Sequence, residues 1–251
     1  MLRKLLLAAA ILAAILVCLV ITAPAGLAWR VARPHAGPLV LEGVSGSVWQ
    51  GQAAMLALYN NGLGQASWHL SPWSLLAGRL DGDVKVDGAV VGIDATLAGT
   101  PSAPQVTAAR ADFPAQVLAP AVDLPGLSLL GDVHVELERL ELRDGLPYAA
   151  AGTATWRNVG LTGLAEASLP GIKATIVSPV DGQIAVSLND LGGPLEIDGS
   201  SRVANGAYDA EVKLKLREEN PTLAQALTHI GERTPDGATL LRIHGNIERM
   251  K

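Results

Sequence analysis

The sequence is poor in the residue types that build thick cores and disulfide frameworks. Its 251 residues include one cysteine, Cys18, and one phenylalanine, and aromatic residues make up 4% of the chain. A single cysteine excludes a disulfide within the chain. With so few aromatic side chains the core must consist of valine, leucine, isoleucine and alanine. Such thin side chains suit an extended, open sheet better than a thick globular core.

Charged residues are missing from the N-terminal run LLLAAAILAAILVCLVI, residues 5–21, and the next charge after it is Arg30. As a helix this run would be roughly 26 Å long, or roughly 36 Å if it continued to Ala28, which brackets the ~30 Å hydrocarbon core of a bilayer. Arg3 and Lys4 precede the run and predict a cytoplasmic N-terminus. The run therefore predicts a transmembrane helix whose C-terminal side leaves the cytoplasm.

A cleaved signal peptide is the alternative, because Ala23-Pro24-Ala25 and Gly26-Leu27-Ala28 both resemble cleavage sites. The uncharged run has 17 residues. This exceeds the roughly 7–15 residues of a signal-peptide core and favours a retained anchor over residues 1–30, with Trp29 and Arg30 at its outer end. Both alternatives place residues 31–251 outside the cytoplasm.

Positive charge is also scarce beyond the anchor. The whole chain has 19 basic and 24 acidic residues, and the first 30 residues hold three of the basic ones and none of the acidic, which leaves a net charge of −8 for the rest. This balance argues against nucleic acid or anionic headgroups as a main ligand of the exported domain.

Alternation of apolar and polar residues is the strongest pattern after Arg30, and it predicts half-buried strands. It runs through GDVKVDG, GQIAVSLND, YDAEVKLKLRE and LLRIHGNIE, and Asx-Gly pairs suited to tight hairpin turns lie between such runs. The predicted fold is mainly β: an extended, twisted antiparallel sheet built as a meander of hairpins, curled or groove-like, with two or three short helices.

The strand DVHVELERLEL changes phase, because Val133, Val135 and Leu137 alternate on one side whereas Leu140 and Leu142 fall on the other. An extra residue restores the phase, so the sequence predicts a β-bulge near Glu138 and Arg139.

Helix signals are few. SPWSLLAG offers Ser71 as N-cap, Pro72 as first residue and Gly78 as stop, and NPTLAQALTHIG offers Asn220 as N-cap with an apolar stripe at Leu223, Leu227 and Ile230. A further helical turn is predicted between Pro114 and Pro120. The stretch AGTPSAPQV, residues 98–106, is predicted to be a loop or an internal boundary, and the boundary is placed near 98–130.

The glycine-rich stretch LEGVSGSVWQGQA, residues 41–53, lacks the lysine of a P-loop, the helix start of a dinucleotide-binding turn and the spacing of a nucleophile elbow. It predicts a hairpin, with a turn at Gly43 and Gly46 and a strand that opens at Val48, Trp49 and Gln50.

No catalytic, cofactor-binding or metal-binding residue is predicted. The five histidines show no zinc-ligand spacing, and those on the polar phase of strands are predicted to be solvated, as are the paired carboxylates. The four tryptophans beyond the anchor are predicted to pack in the core, with a contact surface as the alternative. The residues in question are His35, His69, His134, His229 and His244; Asp81/Asp83, Glu136/Glu138 and Glu218/Glu219; and Trp49, Trp68, Trp73 and Trp156.

The ordered series of motifs resembles one family, the type II secretion system protein N family, also called general secretion pathway protein N. The series comprises the apolar N-terminus, LEGVSGSVWQGQA, LGQASWHLSPWSLLAGRLDGDVKVDG, GDVHVELERLELRDGLPYAAAGTATWRN, GGPLEIDGSSRVANGAYDAEVKLKLREENPTLAQALTHIG and DGATLLRIHGNI. It covers nearly the whole chain, least of all residues 98–130.

The resemblance implies a non-enzymatic, single-pass protein of the bacterial inner membrane, with a cytoplasmic N-terminus and a periplasmic domain. It implies a structural or assembly subunit of the machine that exports folded proteins from the periplasm across the outer membrane. Its partners would be other inner-membrane components or the secretin, at positions that the resemblance does not assign. Two alternatives stay open: a lipid-handling envelope protein, since the strand pattern also resembles the AsmA-like and TamB-like families, and an envelope hydrolase.

Overall fold

Almost every segment beyond the N-terminal run joins one antiparallel β-sheet in the computed structural model. The structure describes residues 22–58, 61–118, 127–143, 146–163, 167–221 and 231–246, with Ala224 and Leu227 between the last two ranges. The predicted transmembrane run at 5–21 lies outside the described residues. Within the described part of the chain, no helix is long and apolar enough to cross a membrane.

The strands are mostly hairpin partners, and their bounds follow in chain order. They are β1 Leu39–Glu42, β2 Ser45–Gly46, β3 Gln50–Leu58, β4 Asn61–Leu70, β5 Gly82–Asp87, β6 Gly92–Thr100, β7 Ala103–Pro114, β8 Leu127–Arg143, β9 Leu146–Gly163, β10 Ala167–Val180, β11 Gln183–Asp190, β12 Leu195–Ala204, β13 Ala207–Leu216, β14 Glu232–Arg233 and β15 Thr239–Asn246.

The strand order confirms the predicted meander. From β3 to β13 each strand pairs with its sequence neighbours, β1 extends the sheet beside β3, and β15 lies between β13 and the short β14. The strand β2 pairs with the end of β3 outside this path. The sheet is therefore open, with β1 at one edge and β14 at the other.

Short helical segments flank the sheet. Helix α1 is Ala25–Ala32 and is followed by a 3₁₀ turn at Arg33–His35; helix α2 is Pro72–Leu76; a second 3₁₀ turn is Ala115–Leu118. The prediction for α2 is confirmed in detail, because the Ser71 side chain accepts a hydrogen bond from the Ser74 N–H and Gly78 follows with φ +73°. The turn predicted after Pro114 is also confirmed.

The helix predicted from Asn220 is described at three positions. Pro221, Ala224 and Leu227 are helical, and the Ala224 N–H donates to the Asn220 carbonyl at 2.8 Å. Leu227 is buried against β12 and β13, as its place in the apolar stripe predicts. Leu223 and Ile230 lie outside the described residues.

The predicted β-bulge is confirmed. Leu137 pairs with Gly152 and Arg139 with Ala151, so that Glu138 is the extra residue of β8. Beyond it Leu140 pairs with Ala150, and the apolar side chains return to the side of the sheet that Leu137 faces.

The loop predicted at 98–106 is wrong. Strand β6 continues to Thr100 and β7 starts at Ala103, so only Pro101 and Ser102 form the turn. The Thr100 Oγ1 closes this turn by accepting a hydrogen bond from the Ala103 N–H at 3.2 Å. Local side-chain chemistry thus replaces the longer loop that two prolines suggested. The division of the chain into domains stays a prediction.

The core is thin and divided. The described residues form three clusters of buried apolar side chains, centred on Ala53, on Val133 and on Ile197. Among the described residues no large side chain is completely buried. This agrees with a sheet that has one principal layer and is covered only in places.

Candidate functional site

One face of the sheet is lined by an uninterrupted row of apolar residues. The strand register places one residue of each of twelve strands directly opposite the next, and none of the twelve is polar. At a strand spacing of about 4.8 Å, the row is roughly 50 Å long. We call it the apolar row, and it consists of Ala53, Ala66, Val86, Ile93, Ala111, Val135, Ala154, Ala174, Leu188, Gly199, Val212 and Leu241.

Cover over the apolar row is uneven. Its first three residues and Gly199 are buried, whereas the other residues from Ile93 to Leu241 have half-buried side chains. A continuous row of aliphatic residues that is partly open to water over most of its length is typical of surfaces that bind apolar ligands or partners. The face is therefore a candidate surface for an apolar ligand or partner.

A cavity of about 420 Å³ lies between helix α1 and the covered end of this face. Its walls contain only alanine, leucine, valine and tryptophan. From α1 come Ala25, Ala28, Trp29 and Ala32; from the sheet and its turns come Leu39, Leu41, Val44, Val48, Leu56, Ala66, Trp68, Leu70, Val84, Val86 and Leu97.

The cavity offers almost nothing to a polar ligand. The indole N–H of Trp68 already donates to the Val48 carbonyl at 3.1 Å. A polypeptide backbone in this space would leave its N–H and C=O groups without partners, which costs several kcal/mol for each, roughly 2–7. The size is within the range of ~300–1,000 Å³ found for small-ligand sites. The lining thus suits a hydrocarbon chain.

The opposite face carries polar residues linked to one another. His134 Nδ1 lies 2.6 Å from Asp112 Oδ1, and Nε2 lies 3.5 Å from Glu136 Oε1. The hydrogen bond to Asp112, helped by the charge of both carboxylates, raises the pKa of His134 above its usual value. Arg110 also approaches Glu136. His134 therefore lies on the solvated polar face, as predicted, and is part of a surface network there.

Two of the carboxylates that were predicted to be solvated accept hydrogen bonds from neighbouring side chains. The Asp81 carboxylate accepts a hydrogen bond from Ser74 Oγ at 3.3 Å, and that of Asp83 from Thr96 Oγ1 at 2.9 Å. His244 is exposed. Across the described ranges, no group of three or more His, Cys, Asp or Glu side chains is placed to hold a metal ion.

Sequence patterns did not predict an ion pair between a largely buried aspartate and an exposed arginine. Asp190, at the end of β11, has a side chain that is only 8% exposed, and it forms a two-pronged contact with Arg217, beyond the end of β13, at 2.8 and 3.1 Å. Its carboxylate also accepts the N–H groups of Gly192 and Ile197. These contacts close the turn between β11 and β12.

The glycine-rich stretch forms a hairpin, as predicted, but its turn is not at the predicted glycines. The Ser47 N–H donates to the Gln50 carbonyl at 2.9 Å and closes the turn between β2 and β3, whereas Gly46 belongs to β2 and Gly43 lies between β1 and β2. Strand β3 begins at Gln50 rather than Val48. Gly51 lies directly opposite Trp68, and a Cβ at Gly51 would come within 2.5 Å of the indole ring. The glycine therefore makes room for the tryptophan that lines the cavity.

The prediction that the tryptophans pack in the core is correct for some of them and wrong for one. Trp68 and Trp156 pack against the core clusters, and their indole N–H groups donate to backbone carbonyls. Trp49 is half-buried, whereas Trp73 is 73% exposed, so core packing is wrong for this residue. Helix α2 has only five residues and none of them is buried, so no described element covers the indole.

Sequence comparison finds one family. The family described as type II secretion system (T2SS), protein N, matches residues 37–242. The type II secretion system protein N of Aeromonas hydrophila is 42% identical over 74 residues, 30% of this chain and 29% of that protein. That of Vibrio cholerae serotype O1 is 27% identical over 200 residues, 75% of this chain and 71% of that protein.

The match to the Aeromonas protein thus spans less than a third of that protein's length. No solved structure shows significant similarity to the chain.

Proposed function

Because the chain belongs to the type II secretion system protein N family, we propose that it is a structural or assembly subunit of that apparatus. In this role it supports the export of folded proteins from the periplasm across the outer membrane. The observation that carries the proposal is the family match over residues 37–242, which includes all of the described chain except residues 22–36 and 243–246.

The proposed location is the inner membrane. The uncharged run at 5–21 would cross the bilayer once, with Arg3 and Lys4 in the cytoplasm and the sheet in the periplasm. We propose that the sheet acts by contact, not by catalysis. Its partners are other inner-membrane components of the apparatus or the secretin.

The role is tested by an in-frame deletion of the gene. We expect proteins secreted by the type II pathway to accumulate in the periplasm and to fall in the medium, measured by immunoblots of cell fractions. A plasmid copy of the intact gene is the control for restoration, and a resident periplasmic enzyme is the control for leakage. Normal export in the deletion strain would count against the proposal.

A second candidate function is lipid handling in the envelope, in the manner that the AsmA-like and TamB-like resemblance suggests. The half-exposed apolar row and the hydrocarbon-lined cavity under α1 favour it. A bound acyl chain would cover apolar surface that is otherwise open to water.

This candidate is tested by a substitution that fills the cavity with a larger side chain. Ala28 lines the cavity from an exposed helix, so Ala28→Trp should fill the space without disturbing the sheet. We expect the intact protein to copurify with phospholipid and the variant to retain several-fold less, measured by mass spectrometry of lipid extracts.

Leu27→Trp is the matched control. Leu27 is on the same helix but is 57% exposed and does not line the cavity. This variant should retain lipid as the wild type does. Wild-type protein free of bound lipid, or equal loss in both variants, would refute lipid binding in the cavity.

A further inference from the structure

The point at which the chain enters the sheet fixes one end of the molecule relative to the predicted anchor. The Val48 N–H donates to the Ala23 carbonyl at 2.9 Å, and Pro24 forms an isolated antiparallel β-bridge with Ser47. Both contacts lie at the turn between β2 and β3. Ala23 follows the uncharged run by one residue. We call this end of the sheet the anchor end.

Helix α2 lies at the same end. The Leu70 N–H, at the close of β4, donates to the Trp49 carbonyl at 2.6 Å, directly beside the β2–β3 turn. From there α2 projects beyond the strands, and the Ser71 N–H bond to the Asp81 carbonyl, 2.8 Å, closes its base. The helix is therefore a fixed projection, capped by Ser71, close to the residues that follow the anchor.

The projection exposes large apolar side chains. Trp73 is 73% and Leu76 is 72% exposed, and Leu75 is also exposed.

Such exposure is unfavourable in water and favourable at a bilayer surface. Tryptophan prefers the membrane–water interface, where its ring is buried and its N–H stays near water, and leucine prefers the hydrocarbon below. The exposed Arg79 follows α2, and Arg30 and Arg33 on and after α1 are also exposed. These three cations suit anionic headgroups at this one end, although the net charge of −8 beyond residue 30 disfavours such headgroups for the domain as a whole.

We propose that the anchor end rests on the bilayer that the N-terminal segment crosses, with Trp73 and Leu76 of α2 inserted at its surface. The partner is the lipid bilayer itself. The inference rests on the membrane anchor of the proposed function, and it adds a second attachment, some fifty residues along the chain, that fixes the orientation of the sheet on the membrane.

The opposite end of the sheet supplies the control position. Val90, in the turn between β5 and β6, is 70% exposed, so it matches Leu76 in exposure and in apolar character. Helix α2 precedes β5 and Val90 follows it, so the two lie at opposite ends of that strand. If exposure alone drew a side chain into lipid, both positions would behave alike.

The test uses site-specific fluorescence quenching in the full chain. Cys18, inside the uncharged run, is the single cysteine and serves as the reference. Leu76→Cys, Trp73→Cys and Val90→Cys are each made in a Cys18→Ser background. Each protein is labelled with a small fluorophore and reconstituted in phosphatidylethanolamine–phosphatidylglycerol vesicles with or without nitroxide-labelled acyl chains.

We expect a roughly twofold or greater loss of emission at Cys18, Leu76→Cys and Trp73→Cys, and little loss at Val90→Cys, since interfacial groups enter lipid by about 5–10 Å. Far-UV circular dichroism checks the sheet in each variant, and two positions in α2 guard against a local defect at one of them.

The outcomes separate the two claims. Quenching at Cys18 without quenching in α2 would keep the anchor and overturn the inference. No quenching at Cys18 would refute the anchor, whatever α2 shows. Equal quenching at α2 and at Val90→Cys would overturn the inference, because the sheet would then have no preferred end at the membrane.

Discussion

Replacing Asp190 by alanine is expected to lower the free energy of unfolding by about 2–4 kcal/mol, because two partly buried backbone N–H groups and the Arg217 guanidinium lose their acceptor. The side chain is 8% exposed and accepts hydrogen bonds from Gly192, Ile197 and Arg217 at 2.8–3.1 Å. Water can replace few of these bonds. Urea unfolding followed by far-UV circular dichroism measures the loss.

The Asp190 carboxylate also makes the free energy of unfolding depend on pH. The hydrogen bond from Arg217, followed by those from the Ile197 and Gly192 N–H groups, lowers the pKa of Asp190 to about 2 from an ordinary 3.8. Because the pKa is lower in the folded state, the stabilisation is complete above the unfolded value. It is lost as the pH falls from about 4 towards 2, and it amounts to roughly 2 kcal/mol.

Asp236→Ala is the control for both effects. Asp236 pairs with Lys213 at 2.6 Å, but both side chains are 48% exposed. Exposed ion pairs contribute little, because water and salt screen them. This variant should unfold close to the wild type at neutral pH, and it should keep the acid transition that Asp190→Ala loses. Similar destabilisation in both variants would contradict the role of burial at Asp190.

The second large effect is expected at Gly131, where alanine should destabilise the protein by about 3 kcal/mol or more. Gly131 has φ +108° and lies at a register shift of β8 opposite Asn158. A Cβ there would overlap the carbonyl oxygen of Arg157 and come within 2.6 Å of that of Asn158. The neighbouring Leu130 carbonyl, which accepts the Trp156 N–H, would have to move as well.

Two other glycines separate the causes. Gly192 has φ +103° with open space around it, so Gly192→Ala measures the backbone conformation alone, about 1 kcal/mol. Gly92 has neither constraint, and Gly92→Ala should be close to neutral. The three variants are compared by the same urea unfolding. If Gly131→Ala lowered the free energy of unfolding no more than Gly192→Ala does, the overlap of the added Cβ with the two carbonyl oxygens would be relieved without cost.

Features that depend on neighbouring residues could be predicted from the sequence. The alternation that forms the strands, the cap of α2 and the extra residue Glu138 are all local, because each needs only a few adjacent side chains to specify it. The family could also be predicted, since an ordered series of weak motifs is a property of sequence alone.

Features that depend on the assembled sheet could not. Asp190 and Arg217 are 27 residues apart, and nothing near either one predicts that the other will reach it. Trp73 looks the same in sequence as the packed Trp68, because periodicity shows that a side chain is apolar but not whether another element will cover it. The cavity likewise requires α1 to lie over β3–β6, which no local pattern specifies.

The strand order has a consequence for a chain that is synthesised from its N-terminus. From β3 onward each strand up to β13 pairs with the one made just before it, and only the short β14 is displaced from this order. A newly made hairpin therefore finds its docking edge already in place and needs no segment that has yet to be made. The described sheet can grow stepwise at one margin, at the pace of synthesis.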